Sequence, residues 1–161
     1  MRITTEVGTC PWNEQHRLVR IGLKAKEIPT ENLPASNLVF LIDVSGSMYG
    51  PERLDLVKSS LKLLVNNLRE KDKVAIVIYS GAAGEKLAST PGSDKQKIRE
   101  AIDELEASGS TAGGEGIMLA YKIAQKNFIS GGNNRIILCT DGDFNVGVSS
   151  DKELEKLIEQ K

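Results

Sequence analysis

The chain has 161 residues, of which 40% are hydrophobic, and its 21 lysines and arginines against 22 aspartates and glutamates give a formal net charge of -1 at pH 7. This composition is typical of a globular domain, and the balanced charge offers no overall basic surface for nucleic acid or for an anionic membrane. Uninterrupted apolar runs, such as Leu38 to Ile42, are far shorter than the roughly 20 residues of a membrane-spanning helix, so we predict no transmembrane segment.

The first 35 residues differ in pattern from the rest of the chain. The stretch from His16 to Lys26 alternates apolar and basic side chains, and prolines interrupt the sequence on both sides of it. Such alternation predicts a strand with one solvated face. We therefore predict an N-terminal extended or β arm over residues 1–35, joined by a proline-containing linker to a domain over residues 36–161.

From Asn37 onward, buried strands alternate with amphipathic helices. The predicted strands cover residues 38–43, 73–79 and 135–140, with a short edge strand at 85–89, and the predicted helices cover 52–68, 94–106, 117–128 and 151–161. This order predicts an α/β domain with a doubly wound, mostly parallel sheet and helices on both faces. In such sheets ligands bind beyond the carboxyl ends of the strands, so the residues that follow each strand are the candidate site.

Small oxygen-bearing side chains occupy three of these connections. The first buried strand ends in Asp43, followed by Ser45 and Ser47; the last ends in Asp141; a glycine-rich loop between them carries Thr111. If the two strands are neighbours, their aspartates converge. Because these three loops contain no lysine, arginine or histidine, we expect a cation between the aspartates. Oxygen ligands without cysteine or histidine favour Mg²⁺, Mn²⁺ or Ca²⁺ over zinc.

Five positions, taken together, resemble the metal-ion-dependent adhesion site of von Willebrand factor type A domains: Asp43, Ser45, Ser47, Thr111 and Asp141. The resemblance extends from about Asn37 to the chain end and implies a Rossmann-like fold with bound Mg²⁺, or Mn²⁺ or Ca²⁺. It implies that the two serines ligate directly, the threonine directly or through water, and the aspartates through metal-bound water. It also implies a non-enzymatic, adhesion-type module whose ion is completed by a Glu or Asp side chain of a protein partner.

The surroundings of this motif add three expectations. Partner recognition is expected from the loops around the ion, which carry Tyr49, Gly50, Phe144 and Asn145. A complete domain of the family has two more strands and a closing helix, so we expect a sheet that is incomplete on its C-terminal side and associates through an apolar edge. The run that begins at Cys10 is similar to a bacterial subfamily with such an arm, often exported or lipid-anchored in the cell envelope.

The same residues allow other interpretations. An aspartate after a first strand also begins metal-dependent phosphoryl-transfer enzymes, so an enzyme using Asp43 stays an alternative, although Ser45 stands where a second acid is expected. A vestigial site in a structural domain is another. The glycine-rich loop lacks the lysine of a P-loop, and a calcium loop starting at Asp141 would have Val146 where glycine is needed. The single histidine, His16, lies in the arm and gives no hydrolase triad.

Overall fold

The computed structural model describes residues 2–25, 32–109 and 114–142. Contacts within the chain divide it into two compact units, Met1–Leu33 and Pro34–Lys161. The division lies two residues before the boundary expected from the sequence. The predicted helix over 151–161 lies outside the described residues.

The first unit is a β-hairpin. Strand β1 (Arg2–Thr9) pairs antiparallel with β2 (Arg17–Lys24), so that Arg2 faces Lys24 and Thr9 faces Arg17. The prediction of a single strand was therefore incomplete, because the threonines and the glycine of β1 dilute the apolar alternation that marks a strand. The expectation of only one solvated face was wrong, since side chains on both faces of the hairpin are exposed.

The second unit contains a four-stranded sheet with the strand order β5-β4-β3-β6. Strand β3 lies in the middle and pairs in parallel with β4 and with β6, whereas β4 pairs antiparallel with β5. Its elements are β3 (Ser36–Asp43), a 3₁₀ turn (Gly46–Met48), α1 (Leu54–Asn67), β4 (Lys73–Ser80), β5 (Ala82–Pro91), α2 (Lys95–Asp103), α3 (Gly114–Lys126) and β6 (Asn133–Cys139).

Helices cover both faces of this sheet because alternate residues of its central strands point to opposite sides. Phe40 and Ile42 of β3 belong to a buried cluster that includes residues of α1 and α2. Val39 and Leu41 belong to a second cluster, which includes residues of α3. The predicted α/β sheet, mostly parallel and with helices on both faces, is confirmed.

The antiparallel edge strand was predicted too short. An edge strand was expected only over residues 85–89, but β5 begins at Ala82 and ends at Pro91. Alanine and glycine carry no β-signal of their own. Here they pair with the last residues of β4, where Tyr79 faces Ala83, and the register shifts between Val74 and Val77.

The opposite edge of the sheet is formed, within the described residues, by β6. Leu138 on this strand is 42% exposed, so the edge carries an accessible apolar side chain. Self-association through it stays a prediction. In the described part of the chain, every helix is too short or too polar to cross a membrane.

Candidate metal site at the carboxyl ends of the strands

Asp43 is the last residue of the central strand β3, and its side chain is fixed from two directions. Its Oδ1 accepts a hydrogen bond from the backbone N–H of Ser45 at 2.8 Å, and its Oδ2 accepts one from the Tyr79 hydroxyl at 3.1 Å. The residue is 0% exposed. A carboxylate that deep needs compensating donors or a cation, and these two neutral donors hold its orientation without cancelling its charge.

The two serines that follow bring their hydroxyl groups together. Ser45 Oγ and Ser47 Oγ are 3.0 Å apart and share a hydrogen bond, with Gly46 between them in a 3₁₀ turn. Two ligands at right angles, each about 2.1 Å from a Mg²⁺ ion, would lie about 3.0 Å apart. The separation of the two hydroxyl oxygens therefore fits adjacent ligands of an ion of magnesium size.

Backbone hydrogen bonds tie this turn to the loop after α2. Gly46 N–H donates to the Gly109 carbonyl at 3.1 Å, and Ser108 N–H donates to the Val44 carbonyl at 2.7 Å. Gly109 has a φ of +79°, and a Cβ there would lie 2.6 Å from Ser80 Oγ, so a glycine is required. The first and second loops of the predicted site are thus held side by side.

Asp141 lies two residues beyond Cys139, the last residue of β6, which runs parallel to β3. Its side chain is only 13% exposed and pairs with Arg53, whose Nη1 lies 3.6 Å from Asp141 Oδ2. The three loops themselves contain no basic side chain, but the fold brings one to them. Arg53 lies outside the three loops in sequence, directly before α1, and the fold brings it back to Asp141. No pattern in the sequence signals this contact.

Tyr79 is the second residue that the sequence analysis missed. It is the penultimate residue of β4 and is completely buried. Burial raises its pKa far above the usual range; the negative charges of Asp43 and Asp141 raise it further, against a lowering hydrogen bond with Thr140. The hydroxyl therefore stays protonated and donates a hydrogen bond to Asp43. Its pKa is affected by the charges of both Asp43 and Asp141. Its position at a strand end was the available signal.

The remaining predicted residues divide into two groups. Tyr49 is 83% exposed, and Gly50, with a φ of +124°, follows it; both line a surface groove with Leu54 and Leu105. Thr111, Phe144 and Asn145 lie outside the described residues, so their predicted roles stay predictions.

The chemistry of the assembled side chains is that of hard oxygen donors. The described residues contain no group of three or more His, Cys, Asp and Glu side chains placed to hold a metal. An ion at this edge would therefore rely on the two serine hydroxyls, with Asp43 and Asp141 as the negative charges. Neutral direct ligands and few carboxylates leave such an ion with residual positive charge.

Comparison with known proteins identifies related chains. The family model of the von Willebrand factor type A domain matches residues 38–143. An uncharacterized protein of Escherichia coli strain K12, YfbK, is 54% identical over 156 residues, which are 97% of this chain and 27% of that protein. The chain thus spans about a quarter of the length of this relative.

Solved structures show the same fold. The conserved hypothetical protein BatB from Bacteroides thetaiotaomicron superposes with a TM-score of 0.59 at 27% identity, covering 68% of this chain and 55% of BatB. The von Willebrand factor domain of the type V pili tip protein Mfa5 from Porphyromonas gingivalis gives a TM-score of 0.60 at 24% identity, covering 68% of this chain and 38% of Mfa5.

Proposed function

Because this chain belongs to the von Willebrand factor type A domain family, we propose that it is a protein-binding module that holds a divalent cation and captures an acidic side chain of its partner through that ion. Domains of this family commonly mediate protein interactions and metal-dependent adhesion. The observation that carries the proposal is the pair of hydroxyl groups of Ser45 and Ser47, 3.0 Å apart, beside the fully buried carboxylate of Asp43.

The residues of this edge fit Mg²⁺ or Mn²⁺ by their chemistry. Ser45 and Ser47 would ligate the ion directly, Asp43 and Asp141 would supply negative charge through bound water, and Thr111 would complete the set. The ion would act as a Lewis acid with a coordination position open to a carboxylate. The exposed Tyr49, beside the glycine turn at Gly50, would contact the surface of the partner around that carboxylate.

The burial of Asp43 favours binding over phosphoryl transfer. A nucleophilic aspartate must reach the phosphorus atom of its substrate. Asp43 is 0% exposed, and each of its oxygens accepts a hydrogen bond from its own chain. It is therefore placed to orient ligands and balance charge rather than to attack.

The proposal is tested by titrating the 161-residue chain with Mn²⁺ and Mg²⁺ in a calorimeter, with Asp43→Asn and Ser47→Ala as variants. We expect binding by the unmodified chain, weakened about 10- to 100-fold in each variant, because loss of a metal ligand or of its supporting carboxylate has effects of this size. Asp103→Asn, on the exposed side of α2 and paired with Lys62, is the control and should bind the ion unchanged.

Besides a lack of Mn²⁺ binding by the folded, unmodified chain, two results would contradict the proposal. One is equal Mn²⁺ affinity in the unmodified chain and in both site variants, with all of them folded by circular dichroism. The other is metal-dependent turnover of a generic phosphoester that is lost in Asp43→Asn, which would establish the phosphoryl-transfer alternative.

A further inference from the structure

Arg53 places a positive charge at the candidate metal site. Its Nη1 donates a hydrogen bond to the backbone carbonyl of Ser47 and lies 3.6 Å from Asp141 Oδ2. The guanidinium therefore bridges the loop that carries the two serines and the loop that follows β6. Its side chain is 50% exposed, so it faces solvent as well as the site.

Other cations of α1 are committed elsewhere. Lys58 Nζ donates to the carbonyls of Asp103 at 2.9 Å and Leu105 at 3.0 Å, at the C-terminal end of α2. Lys62 pairs with the Asp103 carboxylate. Of the three basic residues that begin this helix or lie on it, Arg53 is the one that contacts the metal-site loops.

A fixed positive charge at this position acts in opposite directions on the two ligands of the site. It repels an incoming divalent cation and offsets part of the charge of Asp141, so it lowers cation affinity. It attracts an incoming carboxylate, and a guanidinium presents planar donors that match a carboxylate group. At the edge of a solvated site, each effect should change a dissociation constant about three- to tenfold.

We infer that Arg53 is a specificity-determining residue that makes the metal site select a carboxylate-bearing partner, at the expense of its affinity for the ion. This inference rests on the proposed function, because it requires the ion to be bound at Ser45 and Ser47. It adds that the partner's acidic group is recognised by two cations, the metal and the guanidinium. A partner presenting an amide in place of the carboxylate would gain nothing from Arg53.

The experiment measures both affinities in the same variant. Mn²⁺ alone is titrated into the unmodified chain and into Arg53→Gln by calorimetry. The Mn²⁺-loaded proteins are then titrated with acetate, and separately with acetamide, at constant ionic strength, following the relaxation of water protons by the bound Mn²⁺. Acetate probes the carboxylate of a partner, and acetamide is its uncharged counterpart.

For Arg53→Gln we expect Mn²⁺ to bind about three- to tenfold more tightly and acetate to bind about three- to tenfold more weakly, with acetamide unchanged. Arg53→Lys, which keeps the charge but not the planar donors, should keep Mn²⁺ affinity near that of the unmodified chain and recover part of the acetate affinity. Lys62→Gln removes a charge farther along α1 and should change neither affinity.

The outcomes separate this inference from the proposed function. If the unmodified chain binds Mn²⁺ at the serines but Arg53→Gln leaves either the Mn²⁺ or the acetate affinity unchanged, or shifts both in the same direction, the inference is overturned and the metal site stands. If the unmodified chain binds no Mn²⁺, both are overturned.

Discussion

Buried polar side chains lie at both ends of the four-stranded sheet, but their hydrogen bonds are completed in different ways. At the amino ends of the strands, Asp72 accepts hydrogen bonds from Ser36 N–H at 2.9 Å and from the backbone and guanidinium of Arg69 at 2.7 to 2.9 Å. At the carboxyl ends, the hydroxyls of Ser45 and Ser47 bond each other, and within the described part of the chain the two donors to Asp43 are neutral.

The difference lies in where the compensating positive charge comes from. The positive charge beside Asp72 is that of Arg69, three residues earlier in the chain, which also donates to the Pro34 carbonyl at 2.7 Å. Groups of the chain itself donate to both oxygens of Asp72, so we call this the closed end of the sheet. The carboxyl end gathers hydroxyl and carboxylate oxygens from separate loops, and its own cation, Arg53, reaches Asp141 only at 3.6 Å. We call it the open end of the sheet, where the proposed divalent cation would supply further positive charge.

The largest expected effect comes from breaking the closed end. Asp72→Asn replaces an acceptor of four hydrogen bonds with an amide that turns a donor toward Arg69, and we expect a loss of about 2–3 kcal/mol in the free energy of unfolding. Urea unfolding measures it. Mn²⁺ affinity should stay within about twofold of the unmodified chain, because the network lies at the opposite ends of the strands. A matching loss of metal affinity would show that the two ends are not independent.

The same closed end predicts how the fold responds to acid. Burial alone would raise the pKa of Asp72, but hydrogen bonds from Arg69 and Ser36 and the charge of Arg69 outweigh it and hold the pKa below its usual value. The stabilisation is therefore complete above the unfolded pKa near 4 and is lost as the pH falls through the folded value.

The unmodified chain and Asp72→Asn should accordingly differ in unfolding free energy by a constant amount between about pH 5 and pH 7, and converge below about pH 4. Urea unfolding across this range provides the measurement. A difference that grows as the pH falls would contradict a lowered pKa at Asp72.

A smaller effect is expected from Tyr79→Phe at the open end. The variant removes the donor to Asp43 Oδ2 and should lower the free energy of unfolding by about 1–2 kcal/mol without metal. Saturating Mn²⁺ should restore more stability to this variant than to the unmodified chain, because the ion compensates the same carboxylate. Tyr49→Phe is the control, since Tyr49 is 83% exposed. If Mn²⁺ raised the free energy of unfolding equally in the unmodified chain, Tyr79→Phe and Tyr49→Phe, the hydroxyl of Tyr79 would have no part in the metal site.

Much of the open end could be predicted from the sequence because parallel strands finish at one edge of a sheet. Asp43 follows an apolar run, Asp141 follows another, and the alternation of Ser45 and Ser47 across a glycine allows both hydroxyls to face the same way. In the structure β3 and β6 are neighbours in the sheet, and the hydroxyls of Ser45 and Ser47 meet. The hydrophobic periodicity shows where each strand ends, and therefore which residues lie at that edge of the sheet.

The rest depends on contacts that no local pattern encodes. The sequence predicts Arg53 as a surface residue at the start of a helix. Its contact with Asp141 arises only when the chain folds. The sequence shows Tyr79 as an apolar residue near the end of a buried strand. It does not show that the hydroxyl donates a hydrogen bond to Asp43 on the neighbouring strand. Strand β5 takes its length from the ladder that β4 offers to Ala82 and Ala83, rather than from the strand propensity of those small residues.

A divalent cation held at the carboxyl ends of β3 and β6 would have a position that diffraction can locate. Crystals of the chain grown with saturating Mn²⁺ would be measured for anomalous scattering. We expect a manganese peak at about 2.1–2.2 Å from both Ser45 Oγ and Ser47 Oγ. An anomalous map with no manganese peak within bonding distance of these two oxygens would contradict the proposed metal site, whether or not Mn²⁺ binds elsewhere in the crystal.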